Sequence, residues 1–177
     1  MNIKVNIHKN QKNFDILENN EVVIKALRPK WYSQQIRFFL NNRTYEIKKK
    51  SFWGSSYNIT MSGNLIGAIP FDWKKGHYID LYQGKKQYWI KSTRNGGIFS
   101  SSKVHSLLEG GVKSIIEIHY SWKKWKENIE VEILEKDDYS YELIMYAYFL
   151  MRLKQQAESA AASGPVGGVL FTILMLE

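Results

Sequence analysis

The stretch that decides the fold is YELIMYAYFLMR, residues 141–152. Within it, residues 143–151 are apolar or aromatic without interruption. A helix on a protein surface has an apolar stripe with charged residues opposite, and a membrane-spanning helix needs about 20 apolar residues. This run is too apolar for the first and too short for the second. It therefore predicts a helix that protein covers on every side.

The residues around this run set the limits of the helix. Two aspartates precede it, and acidic residues favour a helix N-terminus. Neither Gly nor Pro occurs between Tyr139 and Ala162, and Ser-Gly-Pro follows at 163–165. The pattern predicts one helix over about 139–162, which is apolar in its first half and polar in its second half.

The sequence before this helix is typical of short β-strands. NIKVNIH, residues 2–8, alternates apolar with polar side chains, which is the period of a strand with one buried face. Turn signals such as Asn41-Asn42 and Ser62-Gly63 separate further segments of this kind. Ten strands are predicted, in the segments 2–8, 21–29, 36–40, 44–48, 57–61, 65–71, 112–120 and 128–135 and, as a hairpin, in 77–92.

Only one arrangement of these strands covers the helix completely. A sheet on one side would leave about half of the apolar run in water. We therefore predict a mainly β fold, a closed antiparallel β-barrel of about ten to twelve short strands around one hydrophobic C-terminal α-helix. Residues 1–177 are predicted to form this single domain. The apolar tail at 165–176 is predicted to add a closing strand at 169–174; the alternatives are a tail that contacts a partner or a membrane, and vector-derived or disordered sequence.

Two segments resemble a known superfamily. SGNLIGAIPFDW, residues 62–73, is similar to the Gly-x-x-Ile-Gly strand of LURP-one-related and scramblase-like proteins, and SYELIMYAYFLMRLKQQ, residues 140–156, is similar to their central helix. The chain thus resembles the tubby C-terminal-like superfamily, which groups the tubby domain, the phospholipid scramblases and the LURP-one-related proteins. The resemblance covers most of residues 1–160. It implies a barrel around a central helix and, through its scramblase members, a lipid-handling protein.

The composition restricts the function. The chain has no cysteine, which excludes disulfides, a thiolate nucleophile and a Cys-based metal site. Its first residues lack the apolar core of a signal peptide, so we expect a cytoplasmic protein. The 25 Lys and Arg residues outnumber the 17 Asp and Glu residues and give a net charge of +8. This excess favours an anionic partner, although it also serves solubility.

Residues that could carry catalysis are scarce. The glycine pairs in TRNGGIF, residues 93–99, and LLEGG, residues 107–111, lack the pattern of a phosphate-binding loop; the first is interpreted as a turn, and the second as a turn or the end of a helix. No Gly-x-Ser-x-Gly motif occurs. The four histidines lie in separate segments without metal-ligand spacing, so a metal site would have to be assembled by folding. The sequence predicts a protein that is not an enzyme and has neither a metal nor a cofactor.

Lysines next to aromatic residues are the candidate binding residues. Four such clusters fall at or near predicted turns, and therefore at the ends of the barrel: 48–53, 73–75, 85–89 and 122–126. The last is predicted to be the loop between the strands 112–120 and 128–134. From these clusters we select Trp73, Lys74, Lys75, Trp122, Lys123, Lys124, Trp125 and Lys126 as ligand-binding residues.

These clusters suit more than one ligand. Tryptophan lies at the headgroup level of a phospholipid surface and lysine meets phosphate. The same pair suits single-stranded nucleic acid, because bases stack on tryptophan. It is also compatible with tryptophans that pack into the barrel and lysines that cap loops. We predict a binding module for anionic phospholipid headgroups or another acidic ligand, peripheral to the membrane; the alternatives are a single-stranded nucleic-acid binding protein and a scramblase-like protein.

Overall fold

The computed structural model describes residues 2–10, 12–30, 33–95, 102–123, 126–136 and 139–162. Within these ranges, one α-helix follows 13 strands, and a short 3-10 helix, Gln83–Lys85, lies between the ninth and tenth strands. The strands are β1 (Ile3–Ile7), β2 (Asn13–Glu18), β3 (Glu21–Leu27), β4 (Ile36–Leu40), β5 (Arg43–Lys49), β6 (Tyr57–Met61), β7 (Asn64–Ile69), β8 (Phe71–Asp72), β9 (Gly76–Leu81), β10 (Lys86–Arg94), β11 (Lys103–Glu109), β12 (Lys113–Lys123) and β13 (Lys126–Ile133). The helix is α1 (Ser140–Ala162).

The strands form a closed ring in chain order. Apart from the short β8, each strand pairs antiparallel with its neighbours along the chain, and β13 pairs with β1. At this closure Ile3 lies opposite Val131. β8 has two residues and pairs only with β9, so 12 strands form the ring. The prediction of a closed antiparallel barrel with one C-terminal helix is therefore confirmed.

Two-residue turns join several of the strands at one end of the ring. Asn19 and Asn20 both have positive φ, and so do Asn41 and Asn42, and Ser62 and Gly63. Positive φ at both central residues defines the two-residue turn whose twist matches that of paired strands. Asn and Gly adopt this conformation at little cost. The turn residues in the sequence thus fix which strands become neighbours.

The helix lies inside the ring. Residues 143–151 are each at most 2% exposed. Their cover comes from several sides, because aromatic rings on separate strands contact the helix. The ring pairs are Phe14 with Tyr148, Phe38 with Tyr146 and Tyr57 with Phe149, at centroid distances of 4.7, 6.1 and 5.0 Å. The prediction of a helix covered on every side is confirmed. In the described part of the chain, no helix has both the length and the hydropathy that crossing a membrane requires.

The sequence does not predict two of the strands. β2 buries only Phe14 and Ile16, too few apolar residues for a clear alternation. β11 has the polar residues His105 and Ser106 in its middle, which interrupt the apolar alternation, and the extra residue at the register shift opposite Leu107 and Leu108 is Ile115 of β12. Residues 107–109, interpreted as part of a turn or of the end of a helix, belong to β11, and the turn follows at 110–112.

The predicted closing strand at 169–174 lies outside the described residues. The ring closes without it, because the pairing of β1 with β13 joins the two edges of the sheet.

One histidine is buried in the barrel wall. His105 on β11 has no solvent exposure. Its Nδ1 lies 2.7 Å from the Ser92 hydroxyl, and its Nε2 has no hydrogen-bond partner. Burial and then the charge of Lys103 lower the pKa of His105 to about 4. The imidazole is therefore neutral in the folded protein at neutral pH.

This burial predicts a pH-dependent stability. Below about pH 6.5 the unfolded chain protonates this histidine and the folded chain does not, so the free energy of unfolding should fall until the pH reaches about 4. Between pH 7 and pH 5 the loss should be about 2 kcal/mol, measured by urea denaturation. His105→Asn should reduce the pH dependence in this interval by that amount. An equal slope in the two proteins would contradict a neutral buried His105.

The central helix gives a second prediction. Leu150→Asp should prevent folding, because an unpaired charge in a fully buried site costs several kcal/mol against a small total stability. Ala157→Asp introduces the same charge on the exposed part of the helix and should fold normally. Circular dichroism and thermal melting of both variants provide the measurement. A cooperative melt of Leu150→Asp at the unaltered temperature would place the helix outside the barrel.

Candidate ligand-binding end of the barrel

Because the strands alternate in direction, the barrel has two different ends. At the entry end, β13 leads into α1, and the tight turns at 19–20, 41–42 and 62–63 join neighbouring strands. At the opposite end, which we call the cavity end, α1 finishes. The connections after β1, β3, β5 and β8 meet there.

Charge is distributed unequally between the two ends. At the entry end acidic and basic residues alternate, and several are paired, such as Lys86 with Glu109 at 3.0 Å. At the cavity end basic residues predominate, and the acidic residues there are fewer: Asp15, Asp72, Glu127 and Glu158. The basic residues at this end are Lys9, Lys12, Arg28, Lys30, Lys48, Lys49, Lys50, Lys74, Lys75, Arg94, Lys103, Lys126 and Arg152. The positive net charge of the chain is therefore concentrated where the helix ends.

Two tryptophans project from neighbouring connections at the cavity end. Trp53 lies between β5 and β6 and is 85% exposed, and Trp73 lies between β8 and β9 and is 92% exposed. Among the described residues, Trp53 contacts the ring of Phe52 edge-on and Trp73 contacts that of Phe71 edge-on. Large indoles so fully in water are unusual in a protein that functions without a partner.

Hydrogen bonds hold these two connections in place. The Asp72 carboxylate accepts hydrogen bonds from the backbone N–H groups of Lys74 and Lys75, at 2.7 and 2.8 Å, which forms the turn that presents Trp73. These bonds lower the pKa of Asp72. His77 donates from Nε2 to the Ser55 carbonyl at 2.7 Å and thereby joins the two connections. The exposed tryptophans are thus presented by fixed turns.

The candidate residues at 73–75 have different environments. Trp73 and Lys74 are exposed on the turn. Lys75 turns away, and its ammonium lies 5.3 Å from the ring of Trp89 on the barrel wall, within the range of a cation–π contact. Trp73 and Lys74 are therefore directly available to a ligand, whereas Lys75 would have to leave Trp89.

The second predicted cluster is not a loop. β12 extends to Lys123 and β13 begins at Lys126, so Trp122, Lys123 and Lys126 are strand residues. The prediction of a connecting loop from 121 to 127 was wrong because it relied on apolar alternation, which stops at Tyr120 although the backbone pairing continues. Lys124 and Trp125 lie outside the described residues. In the ring, the connection between β10 and β11 separates this cluster from Trp73.

A cavity of about 1280 Å³ opens at the same end, above the last turns of the helix. Its walls come from the ends of β1, β3, β10, β12 and the starts of β4, β11 and β13. Apolar groups such as Phe14 and Leu153 form part of the lining, and Trp122 and Lys126 of the second cluster also belong to it. The charged residues of the lining are Lys9, Arg28, Arg94, Lys103, Lys126, Arg152, Glu127 and Glu158, so cations outnumber carboxylates.

Two of the lining cations are already neutralised. Arg152 binds Glu127 through both terminal nitrogens, with one N···O distance of 2.8 Å, and its Nε donates to the Tyr148 hydroxyl at 3.0 Å. Burial disfavours the charge on Glu127, but the hydrogen bonds and charge of Arg152 outweigh it and lower the pKa of this carboxyl. Lys103 pairs with Glu158 in the same way.

Arg28 is different, because within the described residues no carboxylate lies at ion-pair distance from it. Its guanidinium lies over the Phe14 ring, 5.4 Å from the centroid, and makes one long hydrogen bond of 3.4 Å to the Tyr148 hydroxyl. Its Nε is buried and has no acceptor. Burial lowers the pKa of Arg28, yet an arginine keeps its proton at neutral pH. Glu127 is near enough to act on Arg28 electrostatically, but it is bound to Arg152, so within the described residues the half-buried Arg28 has no carboxylate in direct contact.

This arrangement is suited to binding. Arg152 and Glu127 hold each other in the charged state, and Arg28 cannot exchange a proton near neutral pH. An anionic group that reached Arg28 would supply the missing acceptor and the missing negative charge together.

Four residues of the cavity are not predicted from the sequence: Arg28, Arg152, Glu127 and Tyr148. Arg152 carried a signal, since it is the first charge after the nine apolar residues. The sequence around Arg28 contains no such signal, because within the described residues Arg28 differs from Arg152 in having no carboxylate in direct contact. Trp53 belongs to the predicted cluster 48–53 but was not selected as a ligand-binding residue. Its connection lies beside that of Trp73 because of the order of the strands in the ring.

Three comparisons of the chain with known proteins found no match. No protein-family model matches it, and no curated protein or solved structure is significantly similar to it. The resemblance to the tubby C-terminal-like superfamily stays a prediction.

The two cavity arginines give opposite predictions for stability. Arg152→Met leaves Glu127 as an unpaired, mostly buried carboxylate and should lower the free energy of unfolding by about 3 kcal/mol. Arg28→Met removes a desolvated charge that has no ion partner and should leave stability equal or higher by up to about 1 kcal/mol. Urea denaturation at pH 7 measures both. A large loss in Arg28→Met would mean that Arg28 serves the fold.

Proposed function

We propose that the protein is a non-enzymatic binding module that docks on anionic phospholipid surfaces with its cavity end. The observation that carries the proposal is the coincidence, at one end of the barrel, of two almost fully exposed tryptophans with the excess of basic residues. The opposite end has a balanced set of charges. A surface that is both aromatic and basic matches the interface of an anionic bilayer.

The energetics favour reversible attachment. Lys48, Lys50 and Lys74 are exposed around Trp53 and Trp73. Each basic residue near an anionic surface contributes about 1 kcal/mol, so these three supply about 3 kcal/mol, and the indoles add their transfer to the headgroup region. The attraction falls with ionic strength because salt screens it.

Arg28 gives this docking surface a place for a single headgroup. A phosphate that entered the cavity would meet the unpaired guanidinium, with the apolar lining beneath it. Binding there would offset the cost of keeping Arg28 half buried without a counter-ion. The exposed loops then provide attachment, and the cavity provides selectivity.

The resemblance of residues 62–73 and 140–156 to the tubby C-terminal-like superfamily agrees with this proposal, because that superfamily includes the phospholipid scramblases. The cytoplasmic leaflet is the anionic face of a cell membrane. We therefore also propose a cytoplasmic protein that is peripheral to this leaflet.

Liposome flotation tests the docking surface. The protein should float with vesicles that contain phosphatidylserine and not with vesicles of phosphatidylcholine alone. Trp53→Ala/Trp73→Ala and Lys74→Glu/Lys50→Glu should each reduce binding at least about tenfold, because they remove interfacial aromatic contacts or reverse two charges at the surface. Trp fluorescence should shift to shorter wavelength only with the anionic vesicles.

Matched variants at the entry end serve as controls. Lys85→Glu/Lys136→Glu changes the charge equally, and Tyr82→Ala removes an aromatic residue that is 51% exposed, so vesicle binding should persist in both. An equal loss in the controls would mean that net charge, and not the cavity end, drives binding. Binding to single-stranded DNA but to neither vesicle, in a parallel gel shift, would favour the nucleic-acid alternative. Lys123→Glu/Lys124→Glu tests whether the second cluster contributes.

A further inference from the structure

The outer wall of the barrel brings together three side chains that the sequence keeps apart. Glu117 and His119 are two residues apart on β12 and therefore share one face of the strand. Glu132 on β13 lies directly opposite Glu117. His119 Nε2 is 3.9 Å from a carboxylate oxygen of Glu117 and 3.6 Å from one of Glu132. All three ligand atoms lie within 4.8 Å of one another.

Neither the charges nor the distances of these three side chains are those of a stable set of ion pairs and hydrogen bonds. Like charges directly opposite each other on paired strands are destabilising. Within the described residues, neither Glu117 nor Glu132 forms an ion pair with a lysine or arginine. The His119 distances are too long for hydrogen bonds. The cluster therefore has negative charge that its surroundings do not neutralise.

The distances suit a shared cation. A Zn²⁺ ion binds histidine nitrogen and carboxylate oxygen at about 2.0–2.2 Å, so tetrahedral ligand atoms lie about 3.4 Å apart. The two histidine–carboxylate distances exceed this value by half an ångström or less. Small side-chain rotations would bring the three atoms around one ion, and water would take the fourth position.

A neighbouring strand supports one of the ligands. The Ser106 hydroxyl on β11 donates to the second oxygen of Glu117 at 3.2 Å. This bond fixes the carboxylate and leaves its other oxygen toward His119. All the contributing residues lie on paired strands, which hold ligands more precisely than loops do.

We propose that Glu117, His119 and Glu132 bind one first-row transition-metal dication, with Zn²⁺ as the best match. One imidazole and two carboxylates favour such an ion over Ca²⁺, which takes six to eight oxygen ligands. The site lies on the wall of the barrel and not at its cavity end, so it is independent of the proposed docking on phospholipid. The metal would join β12 to β13 beside the closure with β1.

The chain contains a matched histidine for comparison. The His8 side chain is 40% exposed and that of His119 is 41% exposed. His8 makes an ordinary contact of 2.8 Å with one carboxylate, Asp15. His8 and Asp15 together provide two ligand atoms, whereas Glu117, His119 and Glu132 provide three.

Isothermal titration with ZnCl₂ on the metal-free protein, without vesicles, tests the site. The wild type should bind one Zn²⁺ per chain and melt at a higher temperature with Zn²⁺ than without it. His119→Ala and Glu132→Gln should each weaken binding at least about tenfold and remove the thermal shift. Glu132 is 62% exposed, so its variant should fold normally. His8→Ala should bind as the wild type does.

Cobalt gives a second readout. Co²⁺ in place of Zn²⁺ should produce the intense visible bands of a tetrahedral complex in the wild type and in His8→Ala, and lose them in His119→Ala. The proposal is overturned if the wild type shows no saturable binding of Zn²⁺. It is equally overturned if His119→Ala or Glu132→Gln binds as tightly as the wild type, or if His8→Ala abolishes binding, since the ion would then lie elsewhere.

Discussion

A helix without a polar face can be kept out of water only by a wall that surrounds it. Residues 143–151 impose this condition, and the other main features of the barrel follow from it. An open sheet would expose both its edges and half of the helix. Closure through β1 and β13 removes both problems, because it pairs the first strand with the last and leaves no long free edge. The burial of the helix therefore depends on the hydrogen bonds that close the ring, and neither can form completely without the other.

Closure also determines where a ligand can bind. The interior of the ring is occupied by the helix, so the accessible surfaces are the two ends and the outer wall. The apolar half of the helix fills the barrel, and its polar half begins at Arg152, where the wall ends. A charge at that boundary needs a partner, which Glu127 supplies from the start of β13. Within the described residues, Arg28 reaches the same boundary without a carboxylate at ion-pair distance, and the proposed binding site is based on this difference.

The sequence predicts the fold well because the signals that determine it are local. The uninterrupted apolar run fixes the helix, and Asn41-Asn42 and Ser62-Gly63 fix two hairpins, each within a few residues. The strands that escaped prediction are those in which polar residues in the middle of the strand or a low number of apolar residues weaken the alternation. The prediction of a loop at 122–126 was wrong for a different reason. β12 and β13 continue beyond the apolar core, where backbone hydrogen bonds alone define the strands.

The candidate sites were less predictable because they depend on relations between distant residues. The basic and aromatic character of 73–75 is visible in the sequence, but its neighbour Trp53 is set by the order of strands in the ring. Glu117 and Glu132 become opposite only through the register of β12 with β13, and a slip of one residue would place them on different faces. Arg28 is the extreme case, since what distinguishes it is a contact that it lacks. Local sequence pattern therefore predicts the scaffold, whereas strand register and polar groups without hydrogen-bond partners indicate the candidate sites that we propose.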